Sequence, residues 1–236
     1  MKTKKASFDL SLLPLIALTS ALIGNKPPDT YFEVNLIKNP GAEEKVTGQE
    51  IPAWSVTPEM PEWRFMHGTY GEFEGEWKKG CNERCGLAPK PGKSYFRIPL
   101  DSDTPRVALY QEIDLSPISK TIEERRILAE LQGYFAGTPC GNKKCVTARV
   151  VKSYYDREGK LVGGVYSANA DSTLFEATER GGSNMYRFKS YGLKGVLPKE
   201  AVTVIIKLEG QKANCCDRAT VFFDNVSYVL TEGGPR

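Results

Sequence analysis

Val202, Val204, Ile206 and Leu208 take every second position in one stretch of this chain, with Thr203 and Lys207 between them. Such period-two alternation marks a strand with one face buried, although Ile205 blurs the outer face here. A second stretch sets Val107, Leu109, Ile113 and Leu115 on one face, with Gln111 standing where another hydrophobe is expected. Comparable runs predict strands over 128–135, 146–155, 161–167 and 185–191. The closing strand, 221–230, sets Phe222, Val226, Tyr228 and Leu230 on one face together with Asp224. Phe32 to Ile37 reads as the opening strand. Asp156-Arg157-Glu158-Gly159-Lys160 predicts a hairpin turn in which Gly159 supplies a positive φ. Ser116 to Arg126 holds a helical turn with Pro117 near its start. Short strands separated by turn signals predict an all-β sandwich.

The first 24 residues follow a different rule. Lys2, Lys4 and Lys5 precede an apolar run from Leu10 to Ile23 that ends among small residues, Ser20, Ala21 and Gly24. This is the layout of a secretory signal or N-terminal anchor. The run, about 14 residues, is shorter than the roughly 20 that a bilayer span needs. Residues 25–30 read as a linker, 31–231 as the sandwich and 232–236 as a tail. No second apolar run follows, so the mature chain is expected to lack a membrane span.

Composition adds limits rather than direction. Forty per cent hydrophobic and 26% charged residues over 236 positions describe one sizeable core. The net charge of +3, from 32 basic and 29 acidic residues, is spread evenly. No basic stripe exists to track phosphates, which argues against nucleic acid.

Two ends of the chain carry a recognisable pattern. Near the front stands Asn35-Leu36-Ile37-Lys38-Asn39-Pro40-Gly41-Ala42-Glu43, followed by Ile51-Pro52-Ala53-Trp54; at the back stands Val221-Phe222-Phe223-Asp224-Asn225-Val226-Ser227-Tyr228. Between them come Gln111-Glu112-Ile113-Asp114-Leu115, Leu131-Gln132-Gly133-Tyr134-Phe135 and Tyr155-Asp156-Arg157-Glu158-Gly159. In this order the motifs resemble the galactose-binding-like jelly-roll domains, the fold of many secreted carbohydrate-binding modules. The resemblance implies a two-sheet jelly-roll β-sandwich with its first and last strands adjacent and Trp54 in the core. It also implies a structural calcium held by Glu43 and Asp224, with carbonyls near Asn39 and Gly41 in support.

Six cysteines fall into three close groups: Cys81 and Cys85, Cys140 and Cys145, Cys215 and Cys216. In an exported chain these predict disulfides. Counting strands up and down brings the Cys140/Cys145 and Cys215-Cys216 loops to one end, so cross-loop bridges would pin that rim. Four thiolates from Cys81, Cys85, Cys140 and Cys145 are the competing zinc reading.

Residues 58–93 form a long irregular stretch of the kind that tends to be functional or to carry small strands of its own. It is dense in aromatics. A sugar ring offers an apolar face and a rim of hydroxyls, which a flat side chain and directional polar groups recognise together. Trp63, Trp77 and Tyr70 are the stacking candidates, with Arg64, Glu74 and Glu76 as hydrogen-bonding partners; Tyr134, Tyr154 and Tyr166 become candidates if the site lies on a sheet face. Catalysis has weaker signals. His67 is the single histidine, which excludes a site built from several, and no G-x-S-x-G elbow accompanies it. A carboxylate pair of glycosidase type remains open among the acidic residues. Asn225-Val226-Ser227 is a glycosylation sequon within a predicted strand. The expectation is a secreted, non-catalytic, lectin-like module for a polysaccharide or glycoconjugate. The alternatives are an adhesive domain with a protein partner at the cysteine-rich rim, and a glycoside-active enzyme.

Overall fold

The computed structural model describes residues 31–44, 51–56, 66–69, 94–103, 105–137, 146–163, 166–171, 188–212 and 218–235. Among the described residues, ten strands follow in chain order: β1 (Ser55–Val56), β2 (Met66–Thr69), β3 (Ser94–Asp101), β4 (Arg106–Asp114), β5 (Arg125–Gly137), β6 (Val146–Tyr155), β7 (Tyr166–Asp171), β8 (Lys189–Val196), β9 (Thr203–Lys212) and β10 (Arg218–Pro235). They build two sheets in the orders β1-β4-β9-β6-β7 and β2-β3-β10-β5-β8, with neighbouring strands antiparallel throughout. From β3 to β6 the chain changes sheet at every step, and it crosses again from β7 to β8, β8 to β9 and β9 to β10. This winding makes the sandwich a jelly roll.

The inner faces follow the alternation. Leu109, Ile113, Val150, Val204, Ile206 and Leu208 from one sheet meet Ile98, Ile127, Leu131, Phe135 and Val221 from the other in one apolar core. Fully burying such a side chain contributes roughly 1.5–3 kcal/mol each, so the inward phase of each strand selects its register. A 3₁₀ turn, Ser116–Ile118, leads into helix α1 (Ser119–Glu124), which carries the chain from β4 to β5. Ile118 of the turn and Ile122 of the helix are buried.

Several expectations hold in detail. Trp54 is buried and meets Phe96 edge-on at 5.2 Å. Gly159 adopts φ 75° in the Asp156–Lys160 turn, where Asp156 Oδ1 accepts from the backbone N–H groups of Glu158 and Lys160.

Others are corrected. Residues 32–37 do not form a ladder: Phe32 bridges Leu230 in parallel and Asn35 bridges Val229 antiparallel, with Glu33 at φ 59° between them. β3 was hidden by Pro99, which sits beyond the stretch paired with β2, an edge position that proline tolerates. Phe222 and Val226 do not share a face. A bulge between Asp224 and Ser227, with Asn225 at φ 47°, switches the inward phase from Val221 and Phe223 to Val226, Tyr228 and Leu230. Phe222 instead joins Tyr95, Ala136 and Phe188 in a small aromatic cluster on the other side of its sheet. β10 runs from Arg218 to Pro235, longer at both ends than the closing strand expected over 221–230.

Candidate functional site

The bulge in β10 is where the two ends of the chain meet. Asn35 donates from Nδ2 to Val226 O at 3.1 Å and accepts from Tyr228 N–H at 2.9 Å, while Val226 N–H donates to Pro40 O at 3.0 Å. The contacts to Val226 satisfy backbone groups that the bulge removes from the β5 ladder, and those to Tyr228 cover the edge of β10 beyond its pairing with β3. The turn that follows is shaped by Asn39: its carbonyl accepts from Trp54 Nε1, its side-chain oxygen accepts from Glu44 N–H, and its Nδ2 donates to Pro52 O.

This turn brings Gly41, Glu43, Asp224 and Asn225 together. A β-carbon on Gly41 would stand 3.0 Å from Asp224 Oδ1, 3.5 Å from Asn225 Oδ1 and 3.7 Å from Glu43 Cγ. Asp224 is wholly buried and accepts from Asn225 N–H at 2.7 Å. Glu43 accepts from Ser94 N–H at 2.9 Å, which ties the turn to the first residue of β3. Two carboxylates and an amide oxygen are hard donors of the kind calcium takes, and backbone carbonyls would have to complete the shell. Among the described residues, no three His, Cys, Asp or Glu side chains form a metal site of their own.

A second feature is the outer face of the sheet β1-β4-β9-β6-β7. Residues directly opposed across strands point the same way. One row runs Tyr110, Lys207, Val151 and the next Ala108, Glu209, Arg149. Glu209 is nearly buried in the middle of this face, with Oε2 at 2.7 Å from Arg106 Nη2 and Oε1 at 3.4 Å from Arg149 Nη1. Both carboxylate oxygens are thus held by guanidinium groups from the flanking strands. Tyr110 is half-buried beside them, and Ser55 of the edge strand β1 lies opposite it. The aromatic-rich stretch, from residue 58, follows two positions after the end of that strand in the sequence.

Of the sequence candidates, the structure brings together Asn39, Gly41, Glu43 and Asp224. Trp63, Arg64, Tyr70, Glu74, Glu76 and Trp77 lie outside the described residues, as do Cys81, Cys85, Cys140, Cys145, Cys215 and Cys216. Tyr154 is buried in the core, with its hydroxyl 3.3 Å from that of Tyr228, and so is no surface ligand. Tyr134 packs against the small aromatic cluster, and nothing is described of the Tyr166 side chain. Sequence reasoning missed Tyr110, Arg149 and Glu209. Their signal was present, because they occupy the polar phase of the alternation that located the strands. Among the described residues, no helix is long and apolar enough to cross a membrane.

No family model and no curated protein matches this chain. Solved structures do. The carbohydrate-binding module TmCBM61, in complex with β-1,4-galactotriose, matches at 14% identity and a TM-score of 0.47 over 85% of this chain and 100% of that one. A cyclase from Fischerella sp. TAU matches at 14% identity and a TM-score of 0.49, covering 85% and 98%. The enzymatically active domain of bacteriophage CBA120 tailspike protein 4 matches at 14% identity and a TM-score of 0.49 over 83% of this chain, which spans 21% of that tailspike chain. Further matches include carbohydrate-binding modules of families 22, 16 and 4. The likeness is one of fold alone.

Proposed function

We propose that this chain is a secreted, non-catalytic carbohydrate-binding module for a polysaccharide or glycoconjugate. The observation that carries the reading is Tyr110, a half-buried ring set beside Lys207 and the Arg106–Glu209–Arg149 network on one rigid sheet face. The ring would cover the apolar side of a sugar, and the amine and guanidinium groups would read its hydroxyls. Trp63 and Arg64, in the stretch that follows the edge strand beside Tyr110, would extend this platform, and Tyr70, Glu74, Glu76 and Trp77, in the stretch between β2 and β3, are the further ligand candidates. Glu209, with both oxygens bound to arginines, is better suited to orienting those groups than to moving a proton. That supports binding over hydrolysis.

Calcium is part of the proposal. Glu43 and Asp224 would hold it, with Asn225 Oδ1 and backbone oxygens of the 39–41 turn completing the shell, and the ion would lock the chain ends together. The basic, apolar leader over 1–24 supports export, and export supports disulfides among the six cysteines.

The test is a glycan array with the chain beginning at residue 26, in calcium and in chelator. Saturable binding that falls at least tenfold in Tyr110→Ala is the expected result. Loss in Trp63→Ala and Trp77→Ala but not in Tyr110→Ala would move the site to the aromatic stretch. No binding by the folded chain would refute the function.

A further inference from the structure

The core-facing positions of β6 run Val146, Ala148, Val150, Lys152, Tyr154. A lysine in that phase breaks the apolar rule, and Lys152 is only 1% exposed. Its ammonium crosses the interior to the opposite sheet, where Nζ donates to Ala129 O of β5 at 3.2 Å. Nζ also lies 5.9 Å from the centre of the Tyr154 ring, within range of a cation–π attraction. The Tyr154 hydroxyl stands 3.3 Å from that of Tyr228 on β10. Three polar side chains from β6 and β10 therefore form an island between the sheets.

We propose that Lys152 is a proton-operated strut between the two sheets, one that packs more favourably as the neutral amine than as the ammonium. The groups that act on it can be named. From β5 comes the Glu130 carboxylate, whose charge favours the ammonium; from β6 and β10 come the Tyr154 and Tyr228 hydroxyls. β9 faces the core with Val204, Ile206 and Leu208, which carry no charge, and β7 places Tyr166 at the register position opposite Lys152. A neutral amine keeps N–H donors for Ala129 O and sheds the desolvation cost of a buried ion. Burial accordingly pulls Lys152 down to about 8 from 10.5, against the opposing Glu130 charge.

The sign follows from proton linkage. Between about pH 8 and 10.5 the unfolded chain holds a proton on this lysine that the folded chain has released. Stability therefore rises with pH across that window. The experiment compares unfolding of the full chain and of Lys152→Met from pH 6.5 to 9.5. The wild-type folding constant, divided by that of the variant, is expected to rise towards tenfold per pH unit above about 8.5. A ratio that stays flat over the range overturns the proposal. If Lys152→Met does not fold, lysine side-chain NMR of the wild-type chain decides the matter. One lysine titrating near 8 supports the strut, and every lysine titrating near 10.5 refutes it.

Discussion

Asn35 and Tyr228 lie 193 residues apart in the chain, yet Tyr228 N–H donates to Asn35 Oδ1 at 2.9 Å. The same oxygen accepts from Ile37 N–H, and the other end of the amide donates to Val226 O. One side chain thus acts as a short piece of backbone where β10 bulges. Asn35→Ala is expected to cost ~2 kcal/mol, since three hydrogen bonds are lost together. Asn35→Asp should cost a similar amount, because a carboxylate cannot donate to Val226 O. Urea unfolding checks both, and a midpoint unchanged in Asn35→Ala would refute this role.

Gln111 explains why a polar residue interrupts an inward-facing alternation. Its Oε1 accepts from Lys38 N–H at 2.8 Å, and its Nε2 donates to Lys38 O at 3.1 Å and Ala53 O at 2.8 Å. The buried amide stands in for a neighbouring strand. Gln111→Leu should fit the space but leave those backbone groups without partners, at a cost of about 2–3 kcal/mol. Gln111→Glu should be worse, as it brings a buried charge and removes both donors. The order of denaturation midpoints, wild type above Leu above Glu, is the measurement.

The carboxylate of Asp224 sets up a metal test independent of sugar binding. If calcium sits with Glu43 and Asp224, saturating calcium should raise the wild-type unfolding midpoint by several degrees. An ion at 100 times its Kd contributes about 2.7 kcal/mol. Asp224→Asn should abolish the shift while keeping the shape of the side chain. Equal shifts in the two proteins would place calcium elsewhere.

Backbone register makes the cysteine expectation specific. Val146 opposes Lys212, and Gly137 opposes Val221, so the described flanks of 138–145 and 213–217 stand side by side. The stretch 70–93 leaves from the Thr69–Ser94 pair, at the other end of β3 from Asp101, which opposes Arg218. Non-reducing peptide mapping should therefore join Cys140 or Cys145 to Cys215 or Cys216. Bridges confined within each close group would contradict this pairing.

The strands themselves were legible because alternation is a local consequence of burying one face of a sheet. That signal located the cores of β4, β5, β6, β9 and β10, and the Gly159 turn, from residues alone. It failed wherever a non-local contact supplied what a local rule would demand. The bulge at Asn225 inverted the phase of β10, and its missing ladder bonds are met by Asn35 and Pro40 from the far end of the chain. Pro99 hid β3 because tolerance of a proline depends on which edge of the strand is paired.

What the sequence determined by itself is the architecture: an all-β sandwich whose opening and closing motifs belong together, with a tryptophan and a glycine turn in their places. Only the tertiary structure decided which polar residues share a surface. Arg106, Tyr110, Arg149 and Glu209 come from three strands separated by up to 103 positions, and a sheet's register alone sets them side by side. The same holds for Lys152, whose place opposite Ala129 depends on how two sheets stack. Period-two patterning reports whether a side chain faces in or out; it carries no information about which residue on another strand it will meet.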